Sequence, residues 1–571
     1  MCRSGPIERT HTMKGKTRTA SQRCATNGAP YEVFVAEVSR PPHCLGAAVY
    51  AFRHPSTKWP GHACGLGIAH FGSRLAIAAL LCLWPGLSAA QSLPGQSTGK
   101  WDVHAFGAVA DGRRPDTAPI NAAIRSCSRS GGGTVEFGPG TYLVGTIELM
   151  SNVTLDLRRG ATVLGSPDLR DYRSISRTSE GRSSALITAE GQENVAIVGE
   201  GTIDGNGRSF VFQPPEPHPA GFFDAAATRQ GTSFYERNQQ NRDGPDRMRD
   251  RPGILALFLE CRNVTLRGIT VIDAPNWCIH LACSRSVELS HLTVRNSLRI
   301  PNADAIDLGA CSDVRVTDCN LEAGDDGIAI SPCSDGFRSA IAENILVSHC
   351  VIASRSAAVR LGWAAKDIRN VRFEHLTIVN SNRAIGIFVR GRASIENISF
   401  SDVSIQTHLV DGAWWGLGEP VHISVVPYNF KGPMGHVAGV QFQGVTATSE
   451  APIVLYGGER GGIRDVTFRG CSLSLRRSPL DRYYGGNLDL RPVTPDSQGV
   501  AKRNLAGLLA VNVNGLELKD FRIAWIGEPS AFFFAGVEAD GCSAMTFEEL
   551  RSPGPHRGAP SILEDGRVVE P

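Results

Sequence analysis

Aromatic side chains make up only 7% of the 571 residues, and no apolar run is long enough to cross a bilayer as a helix. Charge of one sign is also missing. Lys and Arg number 58 against 56 Asp and Glu, a net +2, and the arginines are scattered. A nucleic-acid binder would carry a basic surplus or stripe, so that class is set aside. The 15 cysteines include no Cys-x-x-Cys pair, which argues against a zinc or redox site. What is plentiful is glycine, with 62 residues. Many short strands joined by tight turns suit that balance better than long helices, and the length allows a large core.

The first ninety residues read as a leader. Residues 75–83, LAIAALLCL, follow Arg74 and precede LSAAQ, where Ser88 and Ala90 stand as the small residues of a signal-peptidase site. Cleavage is expected before Gln91, leaving a protein that is secreted or periplasmic and has no membrane attachment. Residues 1–73 are Gly-, Pro- and Arg-rich without a period, and read either as an over-extended start of translation or as a disordered leader. Residues 91–100 form a linker. Ten cysteines follow the cleavage point, among them Cys261, Cys283, Cys311, Cys319, Cys350 and Cys471 beside strand-like segments. They read as small buried residues of a stacked ladder in preference to disulfides.

From residue 101 onward one pattern recurs: NVTLDL at 152–157, NVAIVG at 194–199, NVTLRGITV at 263–271, SVELSHLTV at 286–294, DVRVTDCNL at 313–321, and six further copies down to GLELKDFRI at 515–523. Starting points from Asn263 advance by 23, 27, 31, 26, 27, 42 and 26 residues. Each copy holds two short apolar alternations, and a polar turn residue usually comes first. The pattern predicts an all-β fold, a single right-handed parallel β-helix over residues 101–555, with a short capping helix near 116–127 and a C-terminal tail at 556–571.

In such a solenoid, residues one coil apart stack on the same surface. Asp304 lies 21 and 22 positions before Asp325 and Asp326 in NADAIDLGACSDVRVTDCNLEAGDDGIAI, so the three carboxylates are expected to converge. Clustered carboxylates repel and are costly to bury, which makes sense where they share protons with a substrate. The alternative reading is strand-terminating residues or a calcium site.

These residues also carry a resemblance. WDVHAFGAVADGRRPDTAPINAAI, GGGTVEFGPGTYLVGTIEL, SNVTLDLRRGATVLGS, ENVAIVGEGTIDGNG and RPGILALFLECRNVTLRGITVIDAPNWCIH, followed by NADAID and GDDGIAI, resemble in order the segments of glycoside hydrolase family 28, the polygalacturonase and rhamnogalacturonase group with the pectin-lyase-like β-helix. The resemblance implies inverting hydrolysis of an O-glycosidic bond in a pectic or related acidic polysaccharide, without a cofactor or metal. Asp325 would protonate the glycosidic oxygen, while Asp304 and Asp326 hold and deprotonate the attacking water. An inverting acid and base are expected roughly 6.5–9.5 Å apart.

There are departures from the family pattern. Its Gly-His-Gly motif should fall near SRSAAVRLG, residues 354–362, where no His is found and Arg355 takes roughly that place. Its Arg-Ile-Lys motif should fall at GIFVRG, residues 386–391, where Phe388 replaces the Arg and Arg390 stands for the Lys. Arg355 and Arg390 are therefore the candidate contacts to a uronate carboxylate. His280, 24 residues before Asp304, is a candidate for lining the cleft. Trp414 and Trp415, adjacent on a Gly-rich segment, are candidates for stacking on a sugar. Residues 208–250, polar and without alternation, read as a long loop over the cleft. Two other functions fit the same scaffold: a polysaccharide lyase, which needs a base and usually calcium, and a non-catalytic carbohydrate-binding β-helix. The partner in every case is a polysaccharide or oligosaccharide, uronate-containing, met by a monomer.

Overall fold

The computed structural model describes residues 99–175, 184–212, 246–331, 341–363, 366–410, 414, 416–427, 430–458, 461–481 and 504–570. All belong to the compact unit Ala90–Pro571. The leader, Trp415 and most of the 208–250 segment lie outside the described residues.

Stacking of the recurring pattern is directly visible in the strand register. Val264, Val287, Val314, Ile345, Val371, Ile398, Val440 and Val466 pair one above the next, all in parallel. The second apolar alternation of each copy stacks likewise, as Val271, Val294, Leu321, Ile352 and Ile378. A third parallel ladder runs through Ile254–Leu259, Trp277–Ala282, Ile306–Gly309, Ile328–Ser331, Ala357–Gly362, Arg383–Val389 and Val421–Val425. Three strands per coil, each coil lying on the last, make a parallel β-helix. Among the described residues no helix is long and apolar enough to cross a membrane.

The polar residue that opens each copy has a conformational reason. Asn152, Asn194, Asn263, Asn344, Asn370 and Asn397 have φ between 56° and 62°. Asn and Asp tolerate this left-handed region better than other residues with a Cβ. Their amides also bond from coil to coil: Asn194 Nδ2 donates to Asn152 Oδ1 at 2.8 Å, and Asn263 Nδ2 to Asn194 Oδ1 at 2.7 Å. Inside the coils the alternating residues form columns. Phe373, Phe400, Phe442 and Phe468 stack with centroids 4.6, 5.1 and 4.4 Å apart and ring planes within 8°. That spacing is close to the ~4.8 Å between neighbouring strands, so in-register phenylalanines have little choice but to stack.

Both ends of the stack are covered. The helix Thr117–Arg129 buries Ile120, Ala123, Ile124 and Cys127, a helical i, i+3, i+4, i+7 face, against the first coil. Asp116 braces its start by accepting from the Val109 and Ala110 amides at 2.7 and 3.0 Å. At the other end Ile562–Glu564 adds a parallel strand to Phe533–Asp540, and Arg567–Val569 turns back antiparallel upon it. The segment set apart from sequence as a tail thus continues the sheet and finishes its edge. Seven of the nine described cysteines are buried, as the ladder reading expects.

The phenylalanine column yields a stability prediction. Phe442→Ala removes the ring between Phe400 and Phe468 and should cost about 3–5 kcal/mol, read as an earlier midpoint in guanidinium denaturation. A loss under about 1 kcal/mol would mean that the column does not hold the coils together.

Candidate active site

The third ladder alternates strictly. Ile306 and Leu308, Ile328 and Ile330, Val359 and Leu361 belong to the core, so the residues between them face away from it. That outward column reads His280, Asp307, Ala329, Arg360, Gly386, His422. A second column sits at the start of the same strands. Asp304 and Asp326 fall in it one coil apart, since Ile306 pairs with Ile328 and the Ala305 amide donates to the Asp326 carbonyl at 2.9 Å. Ala357 and Arg383 continue it.

Sequence and stacking together bring Asp304, Asp325 and Asp326 into one cluster. One carboxylate oxygen from each lies within 4.8 Å of the others, and all three residues are at most 5% exposed. Their placement is built in. Asn296 Nδ2 donates to the carbonyls of Ala303 and Asp304, both at 3.2 Å, fixing the turn that carries Asp304. Arg251 donates to the Pro275 and Pro301 carbonyls and to Asn302 Oδ1, and Asn302 Nδ2 donates to Asp325 Oδ2 at 3.3 Å. The flanking glycines of GDDG are required by space alone. A Cβ on Gly324 would stand 2.3 Å from the Ile300 carbonyl oxygen, and one on Gly327 2.5 Å from that of Ala358. The adjacent aspartates are thus pressed between neighbouring turns that admit no side chain.

Electrostatics separates the three. Burial, then the charges of Asp307, Asp325 and Asp326, push the Asp304 carboxyl well above the usual carboxylate range, with Arg360 pulling partly back. Its Oδ1 is buried without a hydrogen-bond partner among the described residues. Asp326 is held differently: Arg360 Nε donates to its Oδ2, and the Ala357 amide donates to its Oδ1 at 3.2 Å. Burial works against the Arg360 charge, yet Asp326 and the other carboxylates keep its affinity for the proton above normal. The same three oxygens are close enough to share a hard cation, but the guanidinium beside Asp326 opposes a second positive charge there.

The other expected contacts fare unevenly. Arg355 turns away, donating to the Asn380 carbonyl at 3.1 Å, and Arg360 reaches the carboxylates in its place. The correction follows from strand parity: Arg355 precedes the strand Ala357–Gly362, whereas Arg360 stands in the Asp307 column. His280 does adjoin the site, one coil from Asp307, with its ring stacked on Trp277 at 5.0 Å and 1°. Arg390 is buried at the far end of its strand, donating to the Ser424 carbonyl and hydroxyl, with its guanidinium over Phe388 and Trp363 at 4.9 and 5.5 Å. It is neither a solvated charge nor part of the carboxylate cluster. Trp414 is buried, at 4% exposed, and offers no open face for stacking.

Four further residues beside the site escape sequence reasoning. Asp307 adds a fourth carboxylate, visible in hindsight as the outward position of the strand that follows Asp304. Arg383 donates to Glu419 at 2.9 Å and Glu419 pairs with His422 Nδ1 at 2.9 Å, all fully buried. Burial raises the Glu419 carboxyl, but Arg383 and His422 outweigh it and hold the group ionised. Burial keeps His422 neutral.

The chain is thus a parallel β-helix protein with a buried carboxylate cluster at the start of one ladder. The chain belongs to glycosyl hydrolases family 28, whose family model matches residues 127–478. It is 27% identical over 300 residues to a probable polygalacturonase of Vitis vinifera, covering 49% of this chain and 55% of that one. It is 24% identical over 251 residues to an exo-poly-α-D-galacturonosidase of Dickeya chrysanthemi, covering 40% and 41%. The chain thus spans about half the length of the first curated relatives it matches. The family 28 exopolygalacturonase of Yersinia enterocolitica shares the fold, with a TM-score of 0.55 at 19% identity over 83% of this chain and 79% of that one.

The Asp304 shift has a sign that can be checked. A carboxyl whose folded affinity for the proton exceeds its unfolded one gives stability that is present below the unfolded pKa, near 4, and is lost as pH rises through the folded value. Asp304→Asn should therefore raise the melting temperature at pH 7 and leave it nearly unchanged at pH 3.5. Equal shifts at both pH values would show that Asp304 is an ordinary ionised carboxylate.

Proposed function

We propose that the chain is an exported glycoside hydrolase that cleaves O-glycosidic bonds of a pectic or related uronate-containing polysaccharide. The observation that carries this reading is the Asp304, Asp325, Asp326 cluster, which the fold assembles within the family-matched region. Asp325 delivers a proton to the glycosidic oxygen, Asp326 takes one from the attacking water, and Asp304 orients that water and exchanges its own proton within the cluster. Four carboxylates at close quarters cannot all ionise, which keeps a proton available near neutral pH. Names of relatives support the substrate class: polygalacturonase and exo-poly-α-D-galacturonosidase. The protein works as a monomeric catalytic domain that runs from residue 101 through the closing strands Ile562–Glu564 and Arg567–Val569, released from a leader that ends at residue 90.

Stereochemistry admits a second reading on one observation. Oxygens within 4.8 Å are nearer the retaining spacing of roughly 5–5.5 Å than the inverting one. Family membership favours inversion, with water and glycosidic oxygen approached from one compact cluster.

Asp325→Asn should lower kcat by about 10²–10⁴-fold with an unchanged melting profile, since Asn keeps the shape and cannot give up a proton. The assay is reducing-end release from polygalacturonate, rhamnogalacturonan and neutral glycans, with nuclear magnetic resonance of the first product to read the anomer. Inversion is expected; retention would select the nucleophilic reading. Loss of activity in EDTA, or an unsaturated-sugar absorbance, would instead assign a lyase. Mass spectrometry of the exported protein should find an N-terminus at or near Gln91, and a full-length cytoplasmic chain would overturn the export reading.

A further inference from the structure

Arg360 is the one cation in direct contact with the carboxylate cluster among the described residues. It rises from the coil after Asp326 and, in the outward column, is separated from Asp307 only by Ala329. Ala329 carries no side chain beyond Cβ, and neither does Ala357, which lies one coil beyond Asp326 in the other column. Two small residues therefore leave a passage through which the arginine reaches back. Its side chain is 17% exposed, that of Asp326 6%, and its Nη1 donates to the Gly362 carbonyl at 3.0 Å. Both oxygens of Asp326 are engaged, one by the guanidinium and one by the Ala357 amide. A side chain fixed at both ends has one orientation and one preferred charge.

We propose that Arg360 is a positioning residue that aims Asp326 as the water-activating base, reaching it from the following coil and standing five residues after Arg355 in the same SRSAAVRLG string that lacks the family histidine. The inference rests on the hydrolase reading above and deepens it. It explains how one carboxylate can serve as base amid several others. The groups facing Asp326 are Asp304 and Asp307 from the preceding coil, Asp325 beside it, Arg360 from the following coil, and His280 and Arg383 two coils away on either side. Only Arg360 among them touches its carboxylate. Without Arg360 the repulsion within the cluster acts on Asp326 with no facing cation in contact to offset it.

The test uses Arg360→Gln, Arg360→Lys and Asp326→Asn in the full exported chain. With polygalacturonate as probe, Arg360→Gln should move the acidic limb of the kcat/KM profile upward by about one pH unit or more, lower kcat at least tenfold below that limb, and leave KM within about twofold. Arg360→Lys should restore most of the wild-type profile. A folded Arg360→Gln variant with an unmoved limb would overturn the proposal, as would a loss confined to KM. A melting-temperature cycle at pH 7 reads the pair without activity. Arg360→Gln should cost several degrees beside Asp326 and clearly less in the Asp326→Asn background. Additive losses would refute the coupling even if the chain proves inactive on every pectic glycan, an outcome that would itself count only against the hydrolase reading.

Discussion

Everything in this molecule follows from parallel, in-register stacking of coils at the spacing of hydrogen-bonded strands. The backbone ladder fixes that spacing, and any residue type repeated at one coil position becomes a column with itself. Asparagine at the left-handed turn becomes an amide ladder, phenylalanine inside becomes a ring stack, and cysteine becomes a buried thiol packed against carbonyls. The same rule applies to charge. Asp304 and Asp326 stand in one column because Ile306 and Ile328 stand in another.

Stacking is favourable for apolar and amide columns and unfavourable for carboxylates, so the site has to be enforced by its surroundings. The enforcement is steric and electrostatic at once. Gly324 and Gly327 let neighbouring turns close over the aspartate pair, Asn296 and Asn302 hold the turn before it, and Arg360 offsets the charge that results. Repulsion is not eliminated. It is concentrated on Asp304, which burial and three like charges make the natural holder of a proton. A stable scaffold more than ten coils long can absorb that local cost because each coil contacts its neighbours over all three strands.

The column rule also decides what the sequence discloses. Repeat spacing from Asn263 to Asp465 matches the strand register step for step, so the β-helix and the meeting of the three aspartates were legible. The cap was too, because its apolar positions follow helical period. Side-chain direction was not. Arg355 and Arg360 lie in the same apolar string, and only the parity of a strand beginning at Ala357 tells which one faces the carboxylates. Arg390 is expected from sequence to face a uronate carboxylate, whereas Ser424 from the next coil and the Phe388 and Trp363 rings enclose it. Contacts between coils do not appear in a linear motif, since the partner is one turn away and the turn length varies from 20 to 69 residues.

That variation bears on how the family pattern has changed here. In a stacked ladder a functional group need not be replaced at its own position, because positions in adjacent coils are nearly as close to the same spot as neighbours along the chain. The string without the histidine carries Arg360 five residues beyond Arg355, reaching back past two alanines to the preceding coil, and a missing arginine at Phe388 leaves a ring flanked by Arg383 and Arg390 at 5.1 and 4.9 Å. Arg383 is neutralised by Glu419, which arrives from the following coil and is held ionised by that pairing. The ladder therefore runs from carboxylates at Asp304 to compensated cations three coils on.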